Sequence, residues 1–166
     1  MASDFWSGRR AAGRSTFPIE KEKLPELRAR ALRCLGRREH SRAELARKLS
    51  PHAESAEILE GTLNWLESTN KLSNQRFAEM RTHVLSRKFG AARIRRELRA
   101  KGVDAEHAGR ATAGLDDLQK AKEILARKYH DQATTREERA RRARFLQSRG
   151  FSYDTIRQAI RIGQDE

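Results

Sequence analysis

Past Pro25, apolar residues in this chain recur three or four positions apart, the spacing that lines one face of a helix. Runs of β-branched residues are absent, Ala, Leu, Arg, Glu and Lys dominate, and the only later proline is Pro51, so the chain reads as all-α. A first helix is predicted from about Glu26 to Arg37 with Leu32 and Leu35 turned inward. Ser41, with Glu44 three residues on, has the form of a capping box and opens a helix that buries Leu45 and Leu49 before Pro51 breaks it. A third helix follows, with Leu59, Leu63 and Leu66 as its stripe and Trp65 beside it.

The same order then recurs. Ser73 caps a helix predicted to bury Phe77, Met80 and Val84, a basic helix carries Ile94 and Leu98, and Asp104 opens a helix with Ala108, Ala111 and Leu115. Leu118, Ala121 and Leu125 begin a third round, which continues through the arginine-rich segment Arg136 to Arg149 and closes with Ile156 and Ile160 after Ser152. The clearest internal match sets Leu98-x-x-Lys101-Gly102-Val103-Asp104 against Leu146-x-x-Arg149-Gly150-Phe151-Ser152, 48 residues later. Each string is an apolar anchor, a basic residue, a helix-stopping glycine, an apolar plug and an N-cap. The expected fold is an elongated tandem array of three three-helix, helix-turn-helix-like repeats. Its expected units are a disordered tail over 1–22, then 23–72, 73–115 and 116–166.

One segment departs from ordinary amphipathic patterning. From Ser86 to Val103 the only strong apolar anchors of the helix are Ile94 and Leu98, while Arg93, Arg95, Arg96, Arg99 and Lys101 fan over the rest of it and Glu97 is its only acid. A mixed-sign run reads as a solvated helix face, whereas one so nearly one-signed is expected to be a binding surface for something anionic. The whole chain agrees: 36 basic against 23 acidic residues leave a net charge of +13 in 166 residues. That balance points to nucleic acid or a nucleoprotein surface. A membrane surface is the weaker alternative, since no stretch approaches the roughly 20 apolar residues of a spanning helix and the basic helices lack a broad aromatic and Leu face. The leader mixes Gly and Ser with Arg9, Arg10 and Arg14 and has no secretory apolar core, so a cytoplasmic protein is expected, with an organelle transit peptide as the alternative. Cys34, the single cysteine, lies between leucines and is expected to act as a small core hydrophobe in a reducing compartment.

No catalytic or metal-binding constellation emerges from this inventory. His40, His52, His83, His107 and His130 have no helical i, i+4 partner among themselves, and one cysteine cannot build a thiolate site. Gly109 and Gly114 mimic phosphate-loop spacing, but Leu115 and Asp116 stand where Lys and Ser or Thr would hold phosphate and magnesium. Asp116 and Asp117 suit the positive end of a helix dipole. The chemistry that remains is cationic: Arg87, Lys88, Arg93, Arg95, Arg96, Arg99 and Lys101 in the middle unit, and Arg141, Arg142 and Arg144 within the last unit's cluster. Arginine's planar fork serves phosphate and carboxylate alike, and both ligand classes stay open here. Phe89 and Tyr153 either stack on bases or pack a junction between units. No cofactor and no enzymatic activity are expected.

Three strings carry a resemblance. Arg38 to Leu49 (R-x-x-S-R-x-E-L-x-x-K-L), Phe89 to Gly102 (F-G-x-x-R-I-x-x-E-L-x-x-K-G) and Arg149 to Ser152 (R-G-F-S) resemble the RecX family, bacterial regulators of the RecA recombinase. The resemblance covers nearly all of the chain after the tail. It implies three three-helix repeats lying in the groove of the RecA filament on single-stranded DNA, dampening ATP hydrolysis, strand exchange and coprotease activity. The turn at Ser73-Asn74-Gln75-Arg76-Phe77 departs from the family's acidic pair, which puts a salt contact there in doubt. The expected partners are the RecA filament, single-stranded DNA, and duplex DNA through its phosphates, bound by a monomer. The rival reading is a direct, sequence-tolerant DNA-binding helix-turn-helix protein, with Arg93 to Lys101 in a major groove; no Asn or Gln lies there to read adenine edges.

Overall fold

Short polar side chains start most of the helices. In this computed structural model, residues 23–131 and 133–161 are described; the leader over 1–22, for which the sequence predicts disorder, and residues 162–166 lie outside the described residues. The helices are α1 (Leu24–Leu35), α2 (Arg42–Leu49), α3 (Ala56–Ser68), α4 (Asn74–Leu85), α5 (Ala91–Ala100), α6 (Ala105–Thr112), α7 (Asp117–Lys128), α8 (Arg136–Ser148) and α9 (Tyr153–Arg161). Ser41, Ser55, Ser73, Asp104, Asp116 and Thr135 each accept a hydrogen bond from the backbone N–H three residues on. Each such cap is worth about 1 kcal/mol.

The helices gather into consecutive triplets, each around its own core. Leu27, Ala31, Leu45, Leu49, Leu63, Leu66 and Leu72 form the first, Phe77, Ala78, Leu85, Ile94, Leu98, Val103 and Ala108 the second, and Ala121, Ile124, Leu125, Leu146, Phe151, Ile156 and Ala159 the third. The strongly packed helix pairs all lie within a triplet. Stability is therefore built locally and summed through junctions, as in a repeat protein.

Two predicted faces are wrong. Leu32 is 38% exposed, because α1 buries Leu27 and Ala31 instead; Leu35 and Cys34 do pack against the core from its edge. In α4, Met80 is 36% and Val84 51% exposed, and the buried face is Phe77, Ala78, Thr82 and Leu85. The reason is close packing: α4 lies against α6 at Ala108 and Thr112, and small side chains let two backbones approach where a row of large ones would hold them apart.

The echo 48 residues apart holds in atomic detail. Gly102 and Gly150 have φ of +80° and +81°, in the left-handed region. Val103 N–H donates to Leu98 O at 3.1 Å, and Phe151 N–H to Leu146 O at 3.3 Å. Both anchors are fully buried, and both plugs are buried beside them.

These turns also join the triplets. The Gly102 turn sits on the start of α2, where Ser41 Oγ donates to Lys101 O at 2.5 Å and a Cβ built on Gly102 would lie 2.3 Å from Ala43 Cβ. The Gly150 turn sits likewise on the start of α5, where Gly90 N–H donates to Arg149 O at 3.0 Å and a Cβ on Gly150 would lie 2.4 Å from Arg93 Cβ. A second contact repeats as well. Asn74 Oδ1 accepts from Arg42 N at 2.9 Å, and Asp117 accepts from Ala91 N at 3.1 Å, so the first residue of α4 and of α7 caps the second helix of the preceding triplet. Asn74 thus keeps a hydrogen bond at the turn where the sequence put a salt contact in doubt, and Arg76 beside it pairs with Glu39 at 2.9 Å. At α8 the start closes on itself through a reciprocal capping box of Thr135 and Glu138.

Candidate functional site

The basic helix α5 is held from three directions. Ala91, Ile94 and Leu98 bury its inner face, Asp117 caps its first turn, and Arg81 of α4 pairs with Glu97, the helix's only acid. With Glu97 occupied, the outward arginines have no carboxylate of their own helix to neutralise them. Arg95 is exposed, donates to Thr112 Oγ1 at 3.2 Å and lies in the field of the Asp117 carboxylate; Arg96 and Arg99 are exposed with no side-chain partner among the described residues. Together with Ala92, Ala105 and Ala108 they line a groove of about 370 Å³ between α5 and α6.

The ten basic residues predicted as a surface divide into two kinds. Arg93 is structural: its guanidinium donates to Ser148 O at 2.6 Å and lies 4.1 Å from the Phe89 ring centroid, clamping the second and third triplets together. Lys101 is half-buried at the first junction, with its ammonium 3.7 Å from Glu44. Arg142 donates to Asp131 O at 2.5 Å and covers the Tyr129 ring. Arg87, Lys88, Arg95, Arg96, Arg99, Arg141 and Arg144 are exposed. Arg141 and Arg142 line a separate depression of about 300 Å³ with Lys128, Tyr129, His130, Asp131 and Glu138.

The aromatic pair also divides. Phe89 packs against the second core beneath Arg93, whereas Tyr153 is 73% exposed. Tyr153 marks a feature that sequence reasoning missed: a groove of about 330 Å³ between α8 and α9, floored by Ala140, Ala143, Ile156 and Ile160 and rimmed by Arg136, Arg139, Arg157 and Arg161. Arg136 and Arg139 belong to the arginine-rich run, but Arg157 and Arg161 come from a segment more than a dozen residues further on, so counting charge along a run did not bring the four together. The available signal was Arg157 and Arg161, four apart beside Ile156 and Ile160.

Among the titratable groups displaced by their surroundings, three lie at or beside the junctions between triplets. The Arg38 guanidinium, at 2.9 Å, holds the Glu44 carboxyl below the usual range, with Lys101 adding to the effect. Burial pushes Asp117 up, only partly offset by the Ala91 N–H and the Arg95 charge. His40 is 1% exposed beside the first junction, and burial pushes its imidazole down, helped by the nearby Arg38 and Lys48 charges. Among the described residues no three His, Cys, Asp or Glu side chains converge as metal ligands, and no helix is long and apolar enough to cross a membrane.

Three linked triplets with an exposed basic helix in the middle one have the chemistry to hold anionic groups, and known proteins share the three-domain architecture. RecX family models for the first, second and third three-helix domains match residues 28–66, 73–111 and 116–160. "Regulatory protein RecX" of Ralstonia pickettii is 41% identical over 152 residues, covering 90% of this chain and 94% of that one. The protein of the same name from Chromobacterium violaceum is 40% identical over 140 residues, covering 84% and 92%. The crystal structure of RecX from Lactobacillus salivarius superposes with a TM-score of 0.74 at 22% identity, covering 84% of this chain and 95% of that chain, a likeness of fold. From the three matched domains and from relatives of about this identity along nearly the whole chain, the protein belongs to the RecX family of regulatory proteins.

Proposed function

We propose that this chain is a negative modulator of the RecA recombinase, a cytoplasmic monomer that lies in the groove of the RecA filament on single-stranded DNA and inhibits ATP hydrolysis, strand exchange and coprotease activity. It acts by binding rather than by catalysis. The observation that carries the reading is the state of α5, where Arg95, Arg96 and Arg99 stand exposed around an alanine-floored groove while Glu97, the one acid of the helix, is engaged by Arg81. A filament groove presents acidic protein surface and DNA phosphate together, and arginine forks suit both. Arg87 and Lys88 extend this surface, with Arg141 and Arg144 as the third triplet's contribution. Contacts from several modules add avidity to weak individual sites. Occupying more than one protomer favours one filament state over others, and inhibition follows where that state does not turn over.

The test is the single-stranded-DNA-dependent ATPase of the cognate RecA, titrated with the chain at near-physiological salt beside its binding to the same DNA without recombinase. Inhibition is expected well below the concentration that coats bare DNA, and Arg95→Glu with Arg96→Glu is expected to abolish it with helicity intact. Inhibition only where naked DNA is saturated would replace this reading with the sequence-tolerant DNA-binding one.

A further inference from the structure

The α5/α6 and α8/α9 grooves occupy the same place in the repeat. Adding the 48-residue offset carries Ala92, Arg95, Ala105 and Ala108 of the first groove onto Ala140, Ala143, Tyr153 and Ile156, all of which line the second. The volumes are close, about 370 and 330 Å³. Both have an apolar floor, both are rimmed by arginines, and neither has an acidic residue in its lining. The arginines themselves are not equivalent: the second triplet places all of its own on α5, at 95, 96 and 99, while the third uses Arg136 and Arg139 on α8 and Arg157 and Arg161 on α9. An apolar floor at equivalent positions is thus rimmed by three arginines in one groove and four in the other, supplied from different positions, so the shared feature is the chemistry of the groove rather than one copied residue pattern.

We infer that the α8/α9 groove is a second docking site, and that it takes the same kind of element as the α5/α6 groove: an acidic protein segment that seats an apolar side chain between the two helices and places carboxylates on the rim. The inference rests on the filament reading above and deepens it, because a filament offers the same segment on successive protomers and two equivalent grooves of one chain can engage two copies. An apolar anchor with flanking carboxylates fits both sites, through burial on the floor and forked bonds to arginine. A single-stranded nucleic acid fits one groove better than the other: Tyr153 supplies a stacking face in the third triplet, but the residue at that place in the second is Ala105. Tyr153 in this reading is the apolar wall of the groove, which accounts for a large aromatic side chain left 73% exposed.

The experiment measures binding of the full chain to cognate RecA filaments assembled on oligothymidylate with a non-hydrolysable ATP analogue, and to the same oligothymidylate alone. The variants are Tyr153→Ser, Arg157→Glu with Arg161→Glu, their neutral counterpart Arg157→Gln with Arg161→Gln, and Arg95→Glu with Arg96→Glu. The substituted residues are exposed, and circular dichroism checks that helicity is retained. Simultaneous use of both grooves predicts that the Arg157 and Arg161 reversal weakens filament binding by about 100-fold, the loss of one arm of a bivalent contact. Tyr153→Ser, which changes no charge, weakens filament binding and leaves oligothymidylate binding within twofold. If the α9 variants bind filaments within twofold of wild type while the Arg95 and Arg96 reversal does not, the second groove is refuted and the filament reading stands. If the Arg95 and Arg96 reversal is also silent, the filament surface proposed on α5 falls with it. Equal losses on filament and on bare oligothymidylate would overturn the acidic segment and make the groove a nucleic-acid site.

Discussion

Replacing Gly102 by alanine tests whether the triplets are joined as described. At φ +80° an alanine is strained by about 1–2 kcal/mol. Its Cβ would also stand 2.3 Å from Ala43 Cβ, in the first turn of α2, where neither partner is the movable end of a long side chain. Relieving that overlap means shifting the Gly102 turn off α2 and stretching the 2.5 Å bond from Ser41 to Lys101 O, an overpacking cost of about 1–3 kcal/mol. Gly102→Ala is therefore expected to lower stability by about 3 kcal/mol in urea denaturation followed by helical circular dichroism. Gly109→Ala is the control: Gly109 lies inside α6 with open space where its Cβ would go, and the change is expected to raise stability by about 0.5–1 kcal/mol. The two contributions separate in a double-mutant cycle with Ala43→Gly, which removes the clashing methyl and leaves the φ strain. A Gly102→Ala variant within about 0.5 kcal/mol of wild type would refute the junction geometry. A full loss with no coupling to Ala43 would attribute the effect to backbone strain alone.

Other consequences follow from the same geometry. Arg93→Ala is expected to cost about 1–2 kcal/mol by releasing Ser148 O and uncovering Phe89, whereas Arg96→Ala stays within about 0.5 kcal/mol; thermal melts of the two variants check the division between structural and surface arginines. Asp117, whose pKa burial raises above 3.8, holds its proton more tightly folded than unfolded, so its ionisation lowers stability as pH rises through the window just above 3.8. Asp117→Asn is expected to remove that slope and keep the cap, as Asn74 does at the equivalent junction, while Asp117→Ala loses about 1 kcal/mol; denaturation curves from pH 3.5 to 7 distinguish them. His40 has the opposite sign. Its pKa lies below 6.5 when folded, so its contribution is present above 6.5 and is lost as pH falls through the lowered folded value, and His40→Gln is expected to flatten stability between pH 7 and 5.

Much of the chain's behaviour was legible in its letters. Ser41, Ser73, Asp104 and Asp116 start helices through bonds spanning three residues, and Gly102 and Gly150 stop them through a backbone region open chiefly to glycine. Ile94 and Leu98 were the anchors of α5 because no other large apolar residue was there to compete. In α4 there was competition. Met80 and Val84 outweigh Ala78 and Thr82 by hydrophobicity, and the helix buries the small pair because α6 must come close. The Ser41–Glu44 capping box is half present for a similar reason: Ser41 caps, but Arg38 and Lys101 claim the Glu44 carboxylate.

The sequence by itself determined the helices, their starts and stops, the repeat, and a basic helix with a single acid. These follow from interactions within a few residues and from the period of the helix. Tertiary structure alone decided that Arg93, Lys101 and Arg142 are tied into the scaffold while Arg96 and Arg99 remain free, and that Arg136, Arg139, Arg157 and Arg161 share one groove. A side chain's availability depends on which surface a distant segment covers, and that is settled only when the Gly102 and Gly150 turns dock on the helices of the preceding triplet.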